Sequence, residues 1–114
     1  MKIEKFEDII GWQKAGELTI NIYKEFKNCR DFSFRDQIQR AAVSIMNNIA
    51  EGFERRTNKE FINFLYIAKG SCGEVRSILY LAVKLKYISD LSFKDDYQLT
   101  LEISRLISGL IKTL

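Results

Sequence analysis

The chain contains no histidine and no proline, and only two cysteines. The missing histidine removes the usual general base, proton shuttle and metal ligand together. Without proline, nothing in the covalent chain forces a helix to kink or stop. Cys29 and Cys72 lack metal-site spacing, and in a reducing compartment they read as packing residues. No apolar run reaches the roughly 18 residues a membrane span needs. The opening stretch MKIEKFEDII is too acidic and too short for a signal peptide. These absences point to a cytoplasmic chain with no membrane association, cofactor or metal.

What is present suits a single domain. The 114 residues suffice for one core, and 46% apolar with 29% charged residues is ordinary for a globular protein. The net charge of +3 is mildly basic, compatible with nucleic acid without requiring it.

Apolar residues recur at helical intervals in four segments. They are Phe6 to Phe26, Phe34 to Phe53, Phe61 to Leu85, and Leu99 to Leu114. Ser33, Thr57 and Ser92 each precede an acidic residue by three positions (Asp36, Glu60 and Asp95), a pattern that caps helix starts. The pattern predicts helices over roughly 7–28, 34–54, 58–86 and 93–113. Short connections then give an all-α, antiparallel up-down-up-down four-helix bundle. The third segment is apolar on more than one face, and Gly70, Ser71 and Gly73 reduce its bulk. It packs either wholly within the bundle or partly against another subunit.

The second segment carries a polar stripe. At about 100° per residue, Gln37, Arg40, Ser44, Asn47, Asn48, Glu51 and Arg55 share one arc of about 100°. The apolar Ile38, Ala41, Ala42, Ile45, Ile49 and Phe53 occupy another. The stripe has no lysine. Its planar hydrogen-bonding groups suit carboxylates, phosphates or base edges, although a merely wetted face with a Glu51–Arg55 pair is the plainer alternative. Gly52 is expected to loosen the helix end, beside Arg55 and Arg56. The start of the third helix adds partial positive charge there, making this corner the best anion site in the sequence. Arg40, Arg55 and Arg56 are the candidate anion contacts, with Ser44, Asn47, Asn48, Glu51 and Gly52 as positioning residues.

The stretch "RAAVSIMNNIAEGFERR", followed by "KEFINFLYIAKGS" and "LKYI", resembles the 23S rRNA-intervening-sequence (S23 ribosomal protein) family. "WQKAGEL" fits the family's first helix. The resemblance places Arg40, Ser44, Asn48, Glu51, Gly52 and Arg55 in the shared block. Met46 stands where many members have proline, which leaves the second helix straighter there. The resemblance implies a bacterial protein, in some lineages encoded within an rRNA gene insertion, that forms a homopentameric ring. A related branch, the accessory variability determinant of diversity-generating retroelements, binds RNA and a reverse transcriptase.

Three functions compete. The first is a non-catalytic RNA-associated (rRNA-associated) assembly that recognises backbone and shape, since no stacking platform of RRM type is evident. The second is an adaptor or accessory subunit whose stripe meets a protein of an RNA-processing assembly. The third, an enzyme, is disfavoured. The Arg-then-His ribonuclease pattern has Arg40 but no histidine, Ser44 and Ser71 lack a base, and Glu51 and Glu54 lack a third carboxylate.

Overall fold

In the computed structural model, which describes residues 2–114, a short 3₁₀ turn at Phe6–Asp8 precedes four helices. These are α1 (Ile10–Glu25), α2 (Phe32–Phe53), α3 (Asn58–Lys84) and α4 (Asp90–Lys112). No strand occurs among the described residues. Each helix packs on two neighbours, in the cyclic order α1, α2, α3, α4. At about 1.5 Å per residue α3 is about 40 Å long, and it fixes the longest dimension of the molecule, 42 Å.

Of the three start signals, only Thr57 is a cap. Thr57 caps α3, accepting from the Glu60 N–H at 3.2 Å while its hydroxyl meets the Glu60 carboxylate at 3.4 Å. α2 is capped by Asp31, which accepts from the Phe34 N–H, and α4 by Ser89, which accepts from the Ser92 N–H. Both helices therefore begin earlier than Ser33 and Ser92 suggest. The aromatic packing accounts for the register of α2. Phe34 stacks on Phe26 and takes Tyr87 edge-on at 5.1 Å, while the Tyr87 hydroxyl donates to Asp31 at 2.9 Å. α1 is shorter than expected, and Phe6–Asp8 is set apart from it by the extended Ile9. Trp12 meets Phe6 edge-on at 5.2 Å, which fastens that turn to α1.

α3 ends in a paired-carbonyl turn. The Lys86 N–H donates to Val83 and the Tyr87 N–H to Ala82, with Lys86 at φ 62°. Glycine usually fills this left-handed position.

Leu18, Ile22, Phe26, Ile38, Ile45, Ile49, Leu65, Leu79, Ile103 and Ile107 are fully or almost fully buried. Each contributes about 1.5–3 kcal/mol relative to exposure. Both cysteines are free. Cys72 is buried and its thiol donates to the Thr100 carbonyl at 3.2 Å. Burial pushes that thiol up to about 11, so it is a poor nucleophile.

The seam between α1 and α4 buries a carboxyl pair. Asp96 is wholly inaccessible and accepts from the Asn21 amide at 3.3 Å. Its Oδ2 and the Glu25 Oε1 are buried without a protein donor. Burial, reinforced by the hydrogen bond with Asp96, raises the Glu25 pKa to about 9. Held together in a buried seam, the two carboxyls therefore keep a proton between them at neutral pH.

Candidate nucleic-acid interface

The polar stripe of α2 borders α3. Asn48, one of the two adjacent asparagines, donates to both the carbonyl and the hydroxyl of Ser44, at 2.8 and 2.9 Å. Ser44 in turn bonds Ser71 of α3 at 2.9 Å. Asn48 therefore satisfies its amide within its own helix and orients the hydroxyl that crosses to α3. Asn47 points outward and is exposed.

Gly52 has the opposite role to the one expected. It is buried one residue before the end of α2, and a Cβ there would lie 2.6 Å from Phe64 Cβ and 3.1 Å from Phe61 Cδ1. The glycine lets two helix backbones approach; it does not loosen the helix end.

The arginines do not converge within one protomer. Arg40 lines an open cleft of about 640 Å³ with Ser33, Asp36, Gln37, Ser44 and Glu74. Arg55 and Arg56 line another, of about 430 Å³, floored by Ile3, Phe53, Phe61 and Leu110. Thirteen residues of helix, about 20 Å, separate Arg40 from the end of α2 at Phe53, and Arg55 lies beyond that end.

Nor are the arginines all free. Arg55 is bonded to Glu51 at 2.8 Å and lies 4.7 Å over the Phe64 ring. That pair is exposed and adds little stability, but it holds the guanidinium in one place. Arg40 shares its cleft with two carboxylates, and Arg35 takes up one of them, Asp36, at 3.2 Å. Arg56 makes no ion pair among the described residues.

Exposed aliphatic groups flank this face: Ile67 is 52%, Leu81 51% and Leu85 47% accessible on α3. Sequence reasoning did not find the ring cluster formed by Tyr80, Phe93 and Tyr97 across α3 and α4. Its traces in the sequence are aromatic residues spaced at helical intervals among lysines and arginines.

Four helices around one apolar core, with a hydrogen-bonded polar stripe on the second, define an all-α architecture, and no described helix is long and apolar enough to cross a bilayer. The profile of the 23S rRNA-intervening sequence protein family matches residues 7–109, and the chain belongs to that family. A solved structure of a protein of unknown function from the S23 ribosomal protein family of Bacteroides thetaiotaomicron VPI-5482 is similar throughout. It has 28% identity and a TM-score of 0.83, covering 90% of this chain and 98% of that one. No curated protein matches the chain.

Proposed function

We propose that this protein is a non-catalytic, cytoplasmic, self-assembling subunit that associates with RNA, rRNA foremost, through the α2 face. The observation that carries this reading is the stripe itself: Gln37, Arg40 and Asn47 present exposed planar groups beside a rigid Asn48–Ser44–Ser71 hydrogen-bond chain, and Arg55 and Arg56 stand exposed beyond its end. The family's description as a 23S rRNA-intervening sequence protein favours rRNA as the anion. The exposed Ile67, Leu81 and Leu85 suit contact between copies, for which we infer a pentameric ring. The Tyr87–Asp31 bond, tying the end of α3 to the start of α2, supports an up-down-up-down course. With +3 per copy, a ring of five carries +15 and brings separated arginines into repeated rows, which raises phosphate affinity by multivalency.

The test is filter binding of rRNA fragments to the double variant Arg40→Ala with Arg55→Ala, kept folded and assembled. Weaker binding with a flatter salt dependence is expected, and undiminished binding refutes the stripe as the RNA surface. Light scattering that gives a stable 13.3 kDa monomer refutes the assembly.

One observation favours a second reading, an adaptor for a protein of an RNA-processing assembly. Glu74 and Asp36 beside Arg40 suit a polypeptide of mixed charge better than a run of phosphates. Such a contact would change little between about 50 and 200 mM salt, where phosphate binding falls steeply.

A further inference from the structure

The α3–α4 face carries chemistry that the α2 stripe does not use. Tyr80 of α3 meets Phe93 and Tyr97 of α4 at centroid separations of 5.4 and 5.6 Å. Phe93 and Tyr97 lie 5.6 Å apart with planes 25° from parallel. Tyr80 is 48% exposed, and its two partners are half-buried. The rings hold one another in place, so a further flat ring could stack there with little loss of side-chain freedom.

Arg76 lies one turn before Tyr80 on α3, Lys94 one turn before Tyr97 on α4, and Lys69 about 16 Å back from Tyr80 along α3. Lys69, Gly73, Arg76 and Tyr80 follow one another at three- and four-residue steps along one side of α3. Lys94 and Tyr97 continue the pattern on α4. None of Lys69, Arg76 or Lys94 makes an ion pair among the described residues. Arg76 Nη1 is buried without an acceptor. A hydrogen bond with Tyr97 raises the Tyr80 phenol's pKa, and the nearby Arg76 charge opposes it. One carboxylate, Asp90, shares this arc of α4 with Lys94, whereas the cleft beside Arg40 contains two, Asp36 and Glu74.

We propose that Tyr80, Phe93 and Tyr97, with Lys69, Arg76 and Lys94, form a binding surface for single-stranded RNA. Bases stack on the rings while the cations follow the phosphates. Every base has a π-face, so the surface tolerates many sequences. A duplex keeps its bases stacked inside and gains nothing from the rings. A symmetric contact with a second copy would set lysine and arginine against lysine and arginine, which argues against that occupant. The inference rests on the RNA reading above and relocates unpaired RNA to a different face.

The experiment is fluorescence anisotropy with a labelled single strand of about twelve nucleotides and a duplex of the same length. Tyr80→Ala should weaken single-strand binding about tenfold, Tyr80→Phe should retain it, and duplex binding should be unchanged in both. Lys69→Gln with Lys94→Gln should flatten the salt dependence for the single strand. Circular dichroism and sedimentation should match the parent for every variant. Single-strand binding by Tyr80→Ala equal to the parent overturns the proposal, as does a loss that Tyr80→Phe shares. If Arg40→Ala with Arg55→Ala abolishes binding of both probes while Tyr80→Ala alters neither, the stripe reading stands and this one falls. If only the α3–α4 variants lose the single strand, this one stands and the stripe is not its site. If neither probe binds the parent protein, both fall.

Discussion

Replacing Gly52 by alanine tests the tightest of the fold's glycine contacts. The added methyl would sit 2.6 Å from Phe64 Cβ and 3.4 Å from the Phe61 carbonyl oxygen, where about 3.5–4.0 Å is comfortable. Phe64 Cβ is fixed directly to the backbone and cannot rotate away, so α2 and α3 must part by about 1 Å. Overpacking of this kind costs about 1–3 kcal/mol, and here the upper end applies. Removing a glycine from the last turn of a helix recovers at most about 1 kcal/mol, leaving a net loss of about 2 kcal/mol. In a domain of this size that lowers Tm by about 8 °C. Gly70 is the internal control, because it is exposed and a Cβ there would meet nothing within 4 Å. Gly70→Ala should raise Tm by about 4 °C through helix propensity alone. Calorimetry on the two variants should therefore move in opposite directions. A Gly52→Ala protein that melts at or above the parent refutes the close approach.

Ile45→Asp and Leu79→Asp, at wholly buried positions, should each unfold the chain, because an unpaired buried carboxylate costs several kcal/mol; a parent-like circular dichroism melt of either would show the helix phase to be wrong there. Glu25 keeps its proton in the fold up to about pH 9, against an ordinary value of 4.5, whereas the unfolded chain releases it. Stability should thus fall as pH rises through that window. Glu25→Gln, which supplies a permanent N–H to Asp96, should flatten the decline in urea midpoints measured from about pH 5 to 9; an unchanged slope would locate the dependence elsewhere. Lys86→Gly should stabilise by up to about 1 kcal/mol, since the position is left-handed at φ 62° and only part of that strain is offset by glycine's looser unfolded chain. A lower melting temperature for Lys86→Gly would contradict this.

The helices were legible because apolar spacing is a local property: Ile38, Ala41, Ala42, Ile45 and Ile49 repeat at helical intervals and are all buried. The helix starts were less so. Asp31 and Ser33 compete for the same end, as do Ser89 and Ser92, and tertiary contacts made by Phe34 with Phe26 and Tyr87 favour a register that local capping rules do not see. Gly52 was misread for a related reason, since the Phe64 and Phe61 atoms that exclude a side chain there belong to another helix. Of the candidate site, the Glu51–Arg55 pair was readable from its four-residue spacing. The partition of Arg40 from Arg55 and Arg56 into separate clefts was not, because a helical wheel discards distance along the axis. The Glu25–Asp96 pair and the Tyr80–Phe93–Tyr97 cluster each join residues of different helices, so no window of sequence contains them.

Trp12, the chain's one tryptophan, lies edge-on to Phe6 where the 3₁₀ turn meets α1, whereas the aromatic cluster of α3 and α4 contains only tyrosine and phenylalanine. The protein therefore comes optically divided. Indole emission, excited at long wavelength, monitors detachment of the amino-terminal turn. Tyrosine emission includes Tyr80 and Tyr97. An RNA titration whose tyrosine quenching is lost in Tyr80→Phe, with the indole untouched, would point to the α3–α4 side without any attached dye, and a denaturation in which the indole signal changes first would show the amino-terminal turn leaving before the bundle opens.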